Sequence, residues 1–205
     1  MTCPIVAIGA SAGGLEALSE LLGALPPKSG MAYVIVQHLD PAHPSLLSEL
    51  LGKKTAMPVK QIQDGMAIKA GHVYVIAPNT TLTINGERLH LAPRPGDRPH
   101  HPVDVLFGSL AEARGDMAIG VVLSGADSDG SLGVQAIKHR GGITFAQDPQ
   151  SARFSNMPRS AIETDCVDYV LRPGQIANEL VRLGTSPYLR GAPVSPSALP
   201  QPGTE

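Results

Sequence analysis

The sequence predicts an α/β fold: a doubly wound, mainly parallel sheet with helices on both faces and an inserted antiparallel hairpin. Three observations carry the prediction. Short apolar runs alternate with helical patterns of apolar spacing, the punctuation of parallel strands joined by crossover helices. Asn85-Gly86 joins two strand-like runs mid-chain, and Asn-Gly accepts the positive φ of a tight hairpin turn. Three of the apolar runs lead into Ser11, His38 and Asp129, and a parallel sheet binds its ligands outside the carboxyl ends of its strands.

Residues 4–8 form the first strand and run into Gly9-Ala10-Ser11-Ala12-Gly13-Gly14. A helix follows over 15–25, with Leu15, Leu18, Leu21, Leu22 and Leu25 on one face, and Pro26-Pro27 stops it. The second strand, 31–36, runs into Gln37-His38. After a loop at 39–43, a second helix begins near Pro44 and carries Leu46, Leu47, Leu50 and Leu51. Residues 72–77 read as a short apolar strand, and 80–84 with 88–91 as the hairpin. The stretch 92–99, rich in Pro and Arg, reads as a surface loop. The α/β pattern resumes with a helix over 102–113, a strand over 118–123, a helix over 129–139 and a strand over 143–146. A short helix near 158–163, a short strand at 169–171 and a helix over 173–183 complete a domain expected to span 1–185. From Ser186 onward Pro, Ser, Gly and Ala dominate and the apolar period ends, so 186–205 reads as a tail or linker.

At 205 residues the chain is long enough to bury a substantial core. A formal charge of −2 creates no field that gathers nucleic acid or an anionic membrane surface, and with no Trp, three Phe and four Tyr there is little for bases to stack on. Neither nucleic-acid binding nor membrane insertion is expected, and the N-terminus lacks the basic and apolar segments of a signal peptide. The reading is a cytoplasmic protein. Cys3 and Cys166 have no metal-ligand spacing, and Cys166, in an apolar stretch, reads as a buried thiol.

Gly9-Ala10-Ser11-Ala12-Gly13 satisfies the G-x-S-x-G spacing of a nucleophile elbow, in which small flanking residues let a strand-to-helix turn expose the serine. The same turn puts Ser11 at a helix N-terminus, where free backbone N–H groups meet a developing oxyanion. A serine hydroxyl is a weak nucleophile and needs a base, which in turn needs an orienting group. His38 suits the base. Asp127 and Asp129 compete for the carboxylate role; Asp129, just before Gly130 and the next helix, is placed to cap that helix and orient His38 at once. Asp104 lies in a helix, without strand-end placement. A dinucleotide fingerprint fails because Ser11 stands where glycine is required, and no Gly-Lys-Ser/Thr supplies a phosphate loop. The other histidines lack paired ligand spacing; His100-His101 reads as surface loop, and neither metal nor cofactor is expected.

Several blocks in this order together resemble the catalytic domain of the chemotaxis protein-glutamate methylesterases, the CheB-type family. They are Ile8 through Gly14, Val36-Gln37-His38, Gly71-His72-Val73-Tyr74, Pro102-Val103-Asp104-Val105-Leu106-Phe107, Leu123-Ser124-Gly125 with Ser128-Asp129-Gly130, Ala146-Gln147-Asp148, and Met157-Pro158-Arg159-Ser160-Ala161-Ile162. The resemblance spans about residues 3–184. It implies a serine triad of Ser11, His38 and Asp129, which decides between the two aspartates, and an order Ser-His-Asp unlike that of the α/β-hydrolases. It also implies hydrolysis of γ-glutamyl methyl esters on chemoreceptors, with glutamine deamidation by the same machinery.

Two departures accompany the resemblance. Family members usually carry an N-terminal phosphorylatable receiver domain, whereas this sequence opens on the catalytic strand, as in the esterase part of methylesterase–methyltransferase fusions; a methyltransferase domain is an expected partner. Ala126-Asp127 stands where the family more often has a bulkier residue followed by glycine, beside the expected oxyanion pocket of Ala12 and Ala126. Arg153, Arg159 and Met157 are expected to meet the substrate, the arginines steering an acidic receptor helix. The alternatives are a catalytically inactive module that binds a receptor or methyltransferase, or a Rossmann-like nucleotide binder.

Overall fold

The computed structural model describes residues 3–38, 46–96 and 100–185. Its strands are β1 (Ile5–Ala10), β2 (Ala32–Gln37), β3 (Val59–Gln61), β4 (Met66–Ala67), β5 (Val73–Val75), β6 (Thr80–Asn85), β7 (Arg88–Pro93), β8 (Ala118–Val122), β9 (Ile143–Gln147) and β10 (Tyr169–Leu171). Its helices are α1 (Gly14–Ala24), α2 (Leu47–Gly52), α3 (Pro102–Arg114), α4 (Ser131–His139), α5 (Asn156–Ile162) and α6 (Pro173–Gly184).

Seven strands form one sheet in the order β10-β9-β8-β1-β2-β5-β3, and all its pairings are parallel. The central strand explains the continuous apolar run in the sequence. Every residue of β1 is buried, because a parallel strand covered by helices on both faces has no solvent side. Its period of two sends Val6, Ile8 and Ala10 into one core, and Ile5 and Ala7 into the other. The first core closes with Leu18, Leu21 and Leu22 of α1 and Ile176 and Leu180 of α6. The second closes with Val103 and Phe107 of α3, Val134 and Ile137 of α4, and Leu82 and Leu89 of the small sheet. Burying a Leu or Phe side chain in this way contributes about 1.5–3 kcal/mol.

The expected hairpin is present, with Asn85 paired to Arg88 across the turn and Gly86 at φ 57°. It gains a third strand, β4, to give an antiparallel sheet ordered β4-β7-β6. β7 runs through Ala92 and Pro93, residues the sequence assigns to a loop. Their partners Thr81 and Thr80 hold them in register, and a proline is tolerated at a strand end because its missing N–H breaks no interior ladder. β3 and β4 are too short to show alternation, and the exposed Lys60 and Gln61 make β3 read as loop.

Several boundaries differ. Pro44, the expected helix start, lies outside the described residues, as do 39–43; in α2 only Leu47 and Leu51 are buried, while Leu46 is 59% exposed and Leu50 39%. α4 starts at Ser131 rather than Asp129, because Gly130 sits at φ 96°, a non-helical cap. Cys166 is half-buried rather than buried, like Cys3. The end of the 92–99 loop and the 186–205 tail also fall outside the described residues.

β1 lies between β2 and β8, so the chain leaves it toward one neighbour and later returns on the other side. The carboxyl ends of these three strands therefore open one crevice at the point where the winding reverses.

Candidate active site

Ser11 follows the last residue of β1 directly. Its N–H donates to the Ser124 carbonyl at 2.9 Å, and its own carbonyl accepts the Gly14 N–H at 2.9 Å, which folds the elbow. Gly13 then enters α1 at φ 71°, in the left-handed region. A Cβ there would lie 2.8 Å from Ser124 Oγ, so both the conformation and the close approach call for glycine. Ser124, wholly buried, is the brace under the turn. Its hydroxyl donates to the Ala12 carbonyl at 2.8 Å and accepts the Phe154 N–H at 3.0 Å, while its N–H donates to Gln147 Oε1 at 2.9 Å.

His38 follows β2, anchored by its N–H on the Ala10 carbonyl at 3.2 Å. Its ring reaches both expected partners: Nδ1 lies 3.2 Å from Ser11 Oγ and Nε2 lies 2.9 Å from Asp129 Oδ2. The ring thus presents Nδ1 to the serine, the reverse of the chymotrypsin arrangement.

Asp129 is wholly buried, and its surroundings explain how a carboxylate is held there. Oδ2 also accepts the Val103 N–H at 2.9 Å, and Oδ1 accepts the Asp104 N–H at 2.9 Å. Both amides belong to the first turn of α3, whose leading N–H groups have no partner inside the helix and carry the positive end of its dipole. The helix that Asp129 caps is therefore α3, not the following α4 expected from the sequence. Asp104 accepts the Gly133 N–H of α4 at 2.8 Å in exchange, and burial pushes its carboxyl above the ordinary value.

Asp127 enters differently from the role weighed for it. Its Oδ2 lies 2.9 Å from His38 Nδ1, on the same ring nitrogen that faces Ser11, and its Oδ1 accepts the Asp129 N–H at 3.0 Å. The imidazole consequently sits between two carboxylates. Its pKa is pushed up to about 9, first by the hydrogen bond to Asp127, then by that to Asp129, against an opposing effect of burial. The same bond to His38 holds Asp127 below the usual carboxylate range.

The pocket residues separate into different environments. The Ala12 N–H makes no hydrogen bond among the described residues. Ala126 is exposed, its carbonyl accepting Asn156 Nδ2 at 3.0 Å. Arg153 is exposed, paired with Glu16 at 3.0 Å and lying over the Phe154 ring. Arg159 is exposed, bonded through Nε to Ser155 Oγ at 3.2 Å. Met157, expected to touch substrate, is wholly buried; its Sδ would lie 1.9 Å from a Cβ placed on Gly125, so it packs as floor beneath that glycine. On the other side of His38 a hollow of about 170 Å³ is lined by Gln37, Ile76, Pro78, Arg94 and His100.

His101, Asp104 and Asp129 bring possible ligand atoms within 4.8 Å of one another. Both oxygens of Asp129 and Oδ1 of Asp104 already accept backbone N–H groups, a donor set suited to a helix cap rather than to a cation. The features that sequence reading missed are the α3 amides, the Ser124 brace and the Asp127 contact. The first had a signal in the Pro102-Val103-Asp104 block, since Pro at the first helical position marks an N-terminus with free amides behind it.

The family model described as CheB methylesterase matches residues 6–180. A Leptospira interrogans protein, provisionally named a protein-glutamate methylesterase/protein-glutamine glutaminase, is 39% identical over 192 residues, covering 89% of this chain and 96% of its own length. A Bordetella avium protein-glutamate methylesterase/protein-glutamine glutaminase is 36% identical over 185 residues, covering 89% of this chain and 54% of its own length. Among solved structures, the Thermotoga maritima CheB methylesterase catalytic domain superposes with a TM-score of 0.81 at 30% identity, covering 89% of this chain and all of that one.

Proposed function

The chain belongs to the CheB methylesterase family, and from that membership we propose that it hydrolyses γ-glutamyl methyl esters on chemoreceptors with Ser11 as nucleophile. The observation that supports this most is the hydrogen-bonded row of Ser11, His38 and Asp129, drawn from three strand ends into one crevice.

Ser11 Oγ attacks the ester carbonyl as His38 Nδ1 takes its proton. Negative charge then gathers on the carbonyl oxygen, where the Ala12 N–H donates; the loss of one such donor typically costs about 3–4 kcal/mol. The tetrahedral intermediate collapses to a glutamyl-Ser11 ester, and the proton on His38 passes to the departing methoxide to give methanol. Water, deprotonated by His38, attacks the acyl-enzyme and releases glutamate with the Ser11 hydroxyl restored. Asp129 holds the ring by Nε2–H and stabilises the imidazolium as it forms. With a glutamine side chain the leaving group is ammonia and the same steps deamidate it.

Arg153, exposed beside the elbow, and Arg159, exposed in the hollow lined by Ala126 and Asp127, meet acidic side chains of a receptor helix, although exposed ion pairs of this kind contribute only about 0–1 kcal/mol each. Met157 supports the floor and does not touch substrate. Residues 1–185 constitute the catalytic unit and 186–205 a Pro/Ser/Gly-rich tail or linker, with a methyltransferase domain, in the same or a partner chain, as a further partner. The substrate face of a chemoreceptor is cytoplasmic, which places the reaction there; no helix among the described residues is long and apolar enough to cross a membrane.

Methanol release from a methylated chemoreceptor fragment, compared between this chain and its Ser11→Ala variant, tests the reading. Release that depends on Ser11 is expected. Equal rates in the two proteins would remove Ser11 from the mechanism.

A further inference from the structure

We propose that Asp127 is a built-in brake on the nucleophile: its carboxylate rivals Ser11 for Nδ1 of His38, and turnover requires it to leave that nitrogen. The inference rests on the serine mechanism above and adds a control to it.

A ring nitrogen offers one in-plane position, holding either a proton or a lone pair. Asp127 Oδ2 stands 2.9 Å from Nδ1 and Ser11 Oγ 3.2 Å. If Nδ1 held a lone pair, it would face the ionised Asp127 acceptor to acceptor, so the contact demands a proton there. Nε2 likewise needs a proton, because Asp129 Oδ2 opposite it is a carboxylate oxygen held by the Val103 N–H. A ring protonated on both nitrogens is an imidazolium, which cannot accept the Ser11 proton. The resting arrangement is therefore the unreactive one.

The groups packed around the ring do not remove this bias. Asp127 and Asp129 approach from the loop between β8 and α4. Asp104, in the first turn of α3, adds a third carboxyl beside Asp129. The opposing charges are Arg94 and His100, which line the hollow with His38, and His101, 4.0 Å from Asp129 Oδ1. Burial together with Arg94 keeps His100 below its ordinary value, so it adds little positive charge near neutrality. The direct contacts at 2.9 Å on both nitrogens outweigh the rest, consistent with a His38 pKa of about 9.

Asp127 is also built to serve as the movable partner. Its Oδ1 is oriented by the Asp129 N–H at 3.0 Å, yet its side chain is 41% exposed whereas that of Asp129 is not exposed at all. Water can take over Asp127 when it turns out; nothing can take over Asp129. A substrate entering above Ser11 has reason to displace the first and not the second.

The test uses the full chain and its Asp127→Ala and Asp127→Asn variants. The His38 ring is titrated by NMR, and hydrolysis of a γ-glutamyl methyl ester peptide is followed from pH 6 to 10. Removing the carboxylate should lower the His38 midpoint by about one unit or more and raise kcat/KM at pH 7 about tenfold, since one unit changes the neutral fraction tenfold. At high pH the three proteins should converge. An unchanged His38 midpoint in Asp127→Ala overturns the proposal, and so does a lowered midpoint with an unchanged pH–rate profile. Hydrolysis absent from all three proteins at every pH, with Ser11 unreactive, instead defeats the esterase reading; the His38 titration then decides the Asp127 contact alone.

Discussion

His38 Nε2 and the Val103 N–H converge on a single oxygen, Oδ2 of Asp129, each at 2.9 Å. The carboxylate that holds the His38 ring is thus also the cap of α3, so under the proposed mechanism one residue ties the base to the packing of a helix on the sheet.

Replacing Asp129 should therefore damage two properties separately. Asp129→Asn keeps the shape but loses the charge that favours imidazolium and one of the two acceptors, so its Nδ2 faces an N–H donor, and turnover should fall by up to about 10⁴. Asp129→Ala also strands the Val103 and Asp104 amides, each costing about 1–3 kcal/mol if it stays buried and unpaired. Urea melts of the two variants beside ester turnover check this, with Asp129→Ala the more destabilised; equal destabilisation by both would contradict a stabilising role for the oxygen that Asn retains.

The pH dependence of stability follows from the raised His38 pKa. Its folded value of about 9 lies above the ordinary 6.5. The stabilisation it contributes is therefore complete below about 6.5 and is lost as pH rises through 9. Asp127, held below the ordinary carboxylate value, contributes stability above that value and loses it as pH falls through its lowered one. Urea midpoints should decline from pH 6.5 toward 9.5 in the unaltered chain and decline less in Asp127→Asn. Parallel declines would remove the Asp127–His38 pair as the source.

Gly13→Ala places a Cβ 2.8 Å from Ser124 Oγ in a backbone with φ 71°. A non-glycine residue so strained costs about 1–3 kcal/mol. The elbow must shift to relieve the clash, and a displacement of about 1 Å at a reacting group lowers rate about 10²-fold. Thermal melting and kcat/KM should both register the change.

Ser124→Ala leaves the Phe154 N–H and the Ala12 carbonyl without their shared partner. The expected loss is about 1–3 kcal/mol of stability. A fall in kcat should accompany it, because Ser124 supports the turn that carries Ser11. Loss of stability at unchanged kcat would confine Ser124 to folding.

The sheet was legible wherever a strand is buried on both faces: β1, β2 and β8 read as unbroken apolar runs because nothing polar is tolerated there. β3 and β4 escaped because two or three residues cannot display a period, and neighbouring strands supply their order. That Ser11 and His38 meet was legible from their place after those runs. Spacing alone left Asp127 beside Asp129, and both carboxylates reach the His38 ring. The helix Asp129 caps was misassigned because a cap contacts across 25 or 26 residues here, a tertiary relation that local order does not encode. Met157, in a family block, is buried beneath Gly125, a packing relation that its place in the sequence does not display.

The most direct measurement is the site of covalent labelling by a fluorophosphonate at pH 9, mapped by peptide mass in the unaltered chain and in Ser11→Ala and His38→Ala. The account predicts one phosphonyl adduct, on Ser11, abolished in the first variant and strongly slowed in the second. An adduct on another residue, or labelling of Ser11 at full rate without His38, would contradict it.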